Sequence, residues 1–269
     1  MIWVIGSTGM LGAEFTRLLQ KNKIQHVGTS SQVDARDFKA LKAFANNWET
    51  ENYLSAHKNG SPSRIQWIVN CSAYTAVEKA QSDQEAARAL NVDAARNIAR
   101  AAREIGAKLI HISTDYVFDG SASSPYKESD AKRPLGVYGQ TKSDGEDEIQ
   151  KAMTQYFIFR TSWLYGFDRP NFVYTMAKLM DSKEEIKVVN DQIGSPTFTA
   201  DLAEAMLATI KSVQKAGTDI FSKEGIPYGI YHFTDAGETS WHGFALEIQR
   251  LLKKRKLIQN DCRVLPCST

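Results

Sequence analysis

Met1-Ile-Trp-Val-Ile5-Gly6-Ser-Thr-Gly9-Met10-Leu11-Gly12 opens the chain as a short apolar run that passes straight into three glycines. Ala13 to Lys21 follows with the periodicity of an amphipathic helix. The pattern predicts strand, glycine turn and helix. In that arrangement backbone N–H groups and the helix N-terminus meet a pyrophosphate, and glycines stand where side chains would block its approach. Gly6, Gly9, Met10, Leu11 and Gly12 are therefore the candidate dinucleotide-binding residues. The spacing Gly-x-x-Gly-x-x-Gly is one residue longer between the first two glycines than the usual fingerprint, and no Gly-Lys-Ser/Thr follows, which disfavours a P-loop for ATP or GTP.

The stretches that follow repeat the same grammar. Gln25 to Gly28 reads as the second strand, whose end normally carries a ribose-binding acid. Thr29, Ser30 and Ser31 are small and neutral there, while Asp34 comes slightly later with Arg36 beside Asp37. Asp34 is a candidate for a free ribose and Arg36 for a 2′-phosphate, so NADPH and NADH both remain open, with NADPH mildly preferred. Asp37 to Trp48 has a helical pattern, and Glu51 to Arg64 reads as a polar surface loop. Ile65 to Val69 is a buried strand ending at Asn70. Ligands of open parallel sheets sit beyond the carboxyl ends of strands, which places Ala73, Tyr74, Thr75 and Val77 against cofactor or substrate. Cys71 reads as a small buried hydrophobe. Asp83 to Ile105 predicts one long helix with Ala86, Leu90, Ala94, Ile98 and Ala102 on a single face.

Lys108 to Ser113 is the next strand, with His111 inside it as a packed, hydrogen-bonded histidine. Its carboxyl end delivers hydroxyls: Ser113 or Thr114 can donate a hydrogen bond to a substrate oxygen, and Thr114 is the better placed. Farther on, Tyr138 and Lys142 are spaced Tyr-x-x-x-Lys where a helix begins, on one helical face. A phenol beside an ammonium ionises more easily, so such a pair can hand a proton to a developing alkoxide. Tyr156 to Arg160 is another strand, leading to Trp163, which either walls a pocket or fills core. Ile186 to Val189 and the helix Asp201 to Ile210 predict a smaller lobe, and Tyr231 to Trp241 returns to strand, turn and helix.

Composition narrows the classes. The 33 basic and 31 acidic residues of the 269 leave a formal charge of +2, with no long-range reason to bind nucleic acid. The one dense basic run, Lys253 to Lys256, reads as a solvated helix end. Three cysteines without a Cys-x-x-Cys, and nothing resembling a secretory signal at Met1, fit a reducing cytoplasm. No run of eighteen apolar residues predicts a membrane span. The five histidines have no ligand spacing, so no metal is expected in the chemistry. A homodimer is left open. The fold class expected is α/β, a Rossmann-like doubly wound parallel sheet with a smaller C-terminal substrate-binding lobe. Residues 1–165 mainly form the NAD(P)-binding domain, and 166–269 mainly the lobe, with some segments returning to the core sheet.

Gly6 to Gly12, Ala73 to Ala80, Ser113 to Gly120, Tyr138 to Lys142 with Gly145-Glu146, Arg160 to Gly166, Asn171-Phe-Val, Asp191 to Thr197 and Ser240-Trp241 together resemble the dTDP-4-dehydrorhamnose reductase family, a branch of the extended short-chain dehydrogenases/reductases. The resemblance runs from Met1 to about Leu246. It implies reduction of the C4 ketone of dTDP-4-dehydro-L-rhamnose to dTDP-L-rhamnose with NADPH or NADH, the last step in making that sugar donor. Tyr138 then matches the proton donor, Lys142 its partner on the nicotinamide ribose, and Thr114 the polarising hydroxyl. Asp115 and Trp163 match substrate-contacting positions, and Thr75 and Val77 line the same pocket. Two departures are the altered end at Val264 to Thr269, where the family continues into a Pro- and Arg-containing tail, and the longer, more polar Glu51 to Ser63. The alternatives that share the fold are a cofactor-binding regulatory subunit, like the β subunit of methionine adenosyltransferase, and a nucleotide-sugar epimerase or dehydratase.

Overall fold

The computed structural model describes residues 1–59, 64–218 and 225–269. In chain order the elements are β1 (Ile2–Ile5), α1 (Met10–Lys21), β2 (His26–Thr29), α2 (Phe38–Asn59), β3 (Trp67–Asn70), α3 (Val77–Ala80), α4 (Gln84–Arg88), α5 (Ala94–Ile105) and β4 (Lys108–Thr114). There follow α6 (Val137–Ala152), β5 (Tyr156–Thr161), β6 (Leu164–Tyr165), α7 (Phe172–Ser182), β7 (Glu185–Val189), β8 (Ile193–Gly194) and β9 (Thr197–Phe198). The last are α8 (Thr199–Thr218), β10 (Gly229–His232), β11 (Thr239–Ser240), α9 (Trp241–Lys254) and β12 (Arg263–Cys267). They group into two compact units, Met1–Thr161 with Ala203–His232, and Ser162–Leu202 with Phe233–Thr269.

The first unit is a six-stranded sheet in the order β10-β5-β4-β3-β1-β2, parallel throughout. β1 and β3 are buried at every position, which is why they read as unbroken apolar runs: strands covered on both faces have no polar side to show. On one face Trp3 and Ile5 of β1 pack with Leu41 and Ala45 of α2, with Ala94, Ile98 and Ala102 of α5, and with Ile149 of α6. The chain leaves β1 for β2 on one side and returns to β3 on the other. That reversal is the topological switch point, where a crevice opens beyond the strand ends.

Two expectations are corrected here. Glu51 to Arg64 was expected as a loop, yet α2 continues to Asn59; the first helix breakers in this stretch are Gly60 and Pro62, so nothing before them stops propagation. Residues 60–63 lie outside the described residues. The predicted helix Asp83 to Ile105 is interrupted by a π-helical turn over Ala89–Asp93. The wider turn changes the helical phase, and Ala87 and Asn91 are buried where an unbroken pattern placed Ala86 and Leu90.

The second unit holds β6 beside β9 in parallel, β8 antiparallel to β11, and β7 parallel to β12. Its core joins Met176 and Met180 of α7, Ile186 and Val188 of β7, and Ala245 and Ile248 of α9. Asn171 caps α7 by accepting from Val173 N and Tyr174 N, and Ser240 caps α9 through Gly243 N. The run Lys253 to Lys256 lies exposed at the end of α9. Among the described residues no helix is long and apolar enough to cross a membrane.

Candidate active site

The glycine turn lies at the switch point. Gly6 has φ of 78°, a left-handed conformation that a β-carbon disfavours, and a Cβ there would stand 2.8 Å from Ser72 N at the end of β3. A Cβ on Gly12 would lie 2.1 Å from Gly6 O, so α1 can approach the turn only without a side chain. The turn is tied to β2 by Gly6 N and Ser7 N, which donate to Thr29 O at 2.8 and 3.0 Å. Gly9 precedes α1 with no side-chain cap, and Met10 and Leu11 open the helix. This backbone-lined cradle fits a pyrophosphate.

The second-strand candidates are arranged differently from expectation. β2 extends through Thr29, which is buried, with its hydroxyl accepting from Trp3 Nε1 at 2.8 Å. Asp34 and Arg36, read as rival ribose and phosphate ligands, bind each other: Arg36 Nε donates to Asp34 Oδ1 at 2.9 Å and a terminal nitrogen to Oδ2 at 2.8 Å. The guanidinium holds the Asp34 carboxyl below its ordinary range.

At the end of β3, Asn91 from the π-turn accepts from Tyr74 N at 2.9 Å, and its amide nitrogen donates to Tyr74 O at 3.2 Å and to Thr141 Oγ1 at 3.1 Å. This fixes Ala73-Tyr74-Thr75 against α6. The Tyr74 hydroxyl donates to Asp83 at 3.1 Å, Thr75 is exposed, and Val77 begins α3 half-buried. Cys71 is half-buried, and its walled surroundings push its thiol up to about 12, so it is not a thiolate nucleophile.

β4 delivers Ser113, Thr114 and Asp115, and their fates differ. Ser113 Oγ donates to Glu146 Oε1 at 2.5 Å and is thereby engaged in the interior. Thr114 stays at the strand end, accepts from Tyr116 N at 3.2 Å, donates to Asp115 at 3.0 Å, and lies within hydrogen-bonding reach of the Tyr138 phenol. Tyr138 stands in the first turn of α6, edge-on to Tyr116 with ring centroids 5.6 Å apart. Asp115 is an exposed residue whose carboxyl is nonetheless crowded by protein atoms, and this desolvation pushes it up to about 6 against the hydrogen bond from Thr114.

Lys142 lies one turn beyond Tyr138 and is 2% exposed. Its ammonium donates to Ile112 O at 2.6 Å and stands 3.4 Å from His111 Nε2. Burial lowers its pKa to about 8, against the opposing pull of Glu146. The expectation that this ammonium eases ionisation of the phenol is corrected: desolvation dominates, with Asp115 and Tyr116 adding to it, and Tyr138 is pushed up to about 12. A phenol held in its protonated form is a proton donor in the resting state.

A buried ion pair that joins α6 to β5 also supports this helix. Glu146, fully buried, accepts from Arg160 Nε at 2.9 Å and from Arg160 Nη2 at 2.8 Å, with Lys132 Nζ at 3.5 Å. The sequence carries a signal of it: Tyr138, Lys142 and Glu146 recur at intervals of four on α6, and Arg160 interrupts an apolar strand, where a charge must find a partner.

Trp163 belongs to the second unit. It has φ of 48°, stacks on Trp241 with centroids 3.6 Å apart and planes 13° off parallel, and lies over Gly194, where a Cβ would come within 2.7 Å of its ring. Trp241 Nε1 donates to Gln192 at 3.2 Å. The indole is half-buried in an aromatic stack that includes Phe172, whose ring centroid is 4.6 Å from that of Trp241. Among the described residues no cluster of His, Cys, Asp and Glu could hold a metal ion.

A glycine turn at the switch point, a hydroxyl at the end of β4 and a Tyr-x-x-x-Lys helix define the short-chain dehydrogenase/reductase class. Within it the chain belongs to the RmlD substrate binding domain family, whose family model matches residues 1–269. A dTDP-4-dehydrorhamnose reductase of Streptomyces griseus is 39% identical over 254 residues, which are 93% of this chain and 76% of that protein. The crystal structure of a dTDP-4-dehydrorhamnose reductase from Clostridium acetobutylicum ATCC 824 matches with a TM-score of 0.83 at 35% identity, covering 100% of this chain and 84% of that one. A dTDP-4-dehydrorhamnose reductase from Bacillus anthracis, solved in complex with NADP, gives a TM-score of 0.83 at 33% identity over 100% of this chain and 84% of that one.

Proposed function

We propose that the protein is an NADPH- or NADH-dependent oxidoreductase that reduces the C4 ketone of dTDP-4-dehydro-L-rhamnose to dTDP-L-rhamnose. The observation that carries this reading is the Thr114 hydroxyl beside a protonated Tyr138 phenol at the carboxyl end of β4. When bound, the dinucleotide supplies the hydride. The Gly6 to Gly12 turn and the start of α1 would hold its pyrophosphate through backbone N–H groups.

Thr114, whose one hydroxyl proton goes to Asp115 in the resting protein, would turn it to the ketone oxygen and polarise the carbonyl. Tyr138 then gives its proton to that oxygen as charge builds on it. Lys142 presents a positive charge one helical turn away and would orient the nicotinamide ribose. Asp115 and Trp163 are proposed substrate contacts, with Thr75 and Val77 on the wall between cofactor and sugar. The family membership and the similarity to named reductases support this substrate class.

Incubation of the purified protein with dTDP-4-dehydrorhamnose and NADPH should oxidise one cofactor for each sugar reduced. Sugar conversion without net cofactor consumption would instead indicate an epimerase or dehydratase. No turnover, together with a stable complex with another enzyme, would indicate a regulatory subunit.

A further inference from the structure

Beneath the tyrosine and lysine runs a buried polar chain that the proposed reaction does not use. Asn70 closes β3 and pairs in register with His111 on β4. Asn70 and His111 are each 1% exposed, and Lys142 is 2% exposed. Ser72 N donates to Asn70 Oδ1 at 3.0 Å, and Ser72 Oγ donates to the same oxygen at 2.6 Å. A backbone N–H can only donate, so the Asn70 amide has a fixed orientation. Its nitrogen faces His111 Nδ1 at 3.0 Å. An amide nitrogen also only donates, so Nδ1 carries the lone pair and the ring proton lies on Nε2. Nε2 is the atom 3.4 Å from Lys142 Nζ.

Two donors therefore meet when Lys142 is an ammonium, and a donor meets a lone pair when it is a neutral amine. A doubly protonated ring would set a second N–H against the Asn70 amide, and desolvation and the Lys142 charge both oppose it. The other groups around Lys142 act differently. Glu146, one turn along α6, favours the ammonium, but its oxygens are shared with Arg160 of β5, Lys132 and Ser113. Tyr138 is a neutral phenol, and Asp115 and Tyr116 stand toward Tyr138. Asp144 and Glu148 of α6 pair instead with Arg88 of α4 and Arg96 of α5, at exposed or half-buried positions.

We propose that His111 is a positioning residue for Lys142: locked by Ser72 and Asn70 in the Nε2–H tautomer, it presents a donor to the lysine nitrogen and lowers the pH at which Lys142 gives up its proton. The role of Lys142 in turnover rests on the proposed function, but the tautomer and the lysine titration do not.

The test uses the full-length protein labelled with [15N]histidine and [13C]lysine. Long-range 1H–15N spectra between pH 6 and 8 should show a neutral His111 ring protonated at Nε2, assigned by its disappearance in His111→Phe. Asn70→Asp, an isosteric change, gives Nδ1–H an acceptor, so the ring should switch to the Nδ1–H tautomer and Nε2 should accept from the ammonium. Asn70→Leu removes the amide donor without adding charge. In both variants the Lys142 titration should move to higher pH by about one unit, tenfold in proton concentration. The alkaline limb of any kcat profile should follow, with KM little changed. A wild-type ring protonated at Nδ1, or a charged ring, overturns the proposal, and that result needs no folded variant. An unshifted lysine titration in Asn70→Leu also overturns it. Intact NMR results with no sugar reduction would reject the reductase reading alone.

Discussion

Arg160 grips Glu146 through two parallel hydrogen bonds of 2.9 and 2.8 Å, with Glu146 fully buried and Arg160 3% exposed. The pair joins β5 to α6 one helical turn beyond Lys142, and the guanidinium also lies 5.1 Å over the Phe118 ring. Removing one partner of a buried pair leaves an uncompensated charge. Arg160→Met should therefore destabilise the fold by about 3–5 kcal/mol in denaturant titrations. The double change Arg160→Met with Glu146→Leu should recover much of that loss, and a double variant as unstable as the single one would contradict the account.

Lys142 tests the opposition between stability and chemistry. Its value falls from 10.5 to about 8 in the folded protein, so its stabilising contribution is present above the unfolded value and lost as pH falls through about 8. At pH 7 the buried ammonium is a burden on the fold. Lys142→Met should melt a few degrees higher than wild type at pH 7, with the advantage shrinking between pH 8 and pH 10, and should lose reductase activity. Thermal melts across that range check the sign.

Asp115 has the opposite dependence. Its carboxyl is raised from 3.8 to about 6, so its contribution is complete below pH 3.8 and is lost as pH rises through about 6. Asp115→Asn should match wild-type stability at pH 3.5 and exceed it at pH 7.5. Equal stability at both pH values would show that water reaching this exposed residue outweighs the crowding of its carboxyl.

The Asp34–Arg36 ion pair bears on cofactor preference. Asp34→Ala removes a carboxylate and frees a guanidinium, and both changes favour a 2′-phosphate. The ratio of kcat/KM for NADPH over NADH should rise about tenfold, a change of roughly 1.4 kcal/mol. An unchanged ratio would place both residues away from the ribose.

How much of this was readable from the sequence depends on the range of the interaction. The Gly6 to Gly12 turn and the Tyr138–Lys142 spacing are local, and periodicity alone puts them on a strand end and a helix face. The length of α2 was misjudged because polar residues were read as a loop although no Gly or Pro interrupts Phe38 to Asn59. The π-turn at Ala89–Asp93 leaves no compositional mark. Arg160 with Glu146, Asn70 with His111 and Trp163 with Trp241 are partners brought together by topology, and spacing cannot reveal them. The direction in which Lys142 points, toward Ile112 O and His111, is set by such long-range packing. So is the dominance of desolvation over Lys142 in the Tyr138 phenol.

The central claim is that Tyr138 is the proton donor for reduction of a sugar ketone. Its most direct test is the rate of NADPH-dependent dTDP-4-dehydrorhamnose reduction by Tyr138→Phe, which keeps the ring against Tyr116 and removes only the hydroxyl. The account predicts a fall in kcat on the order of 100-fold or more with an unchanged melting temperature; a variant that turns over at the wild-type rate would contradict it.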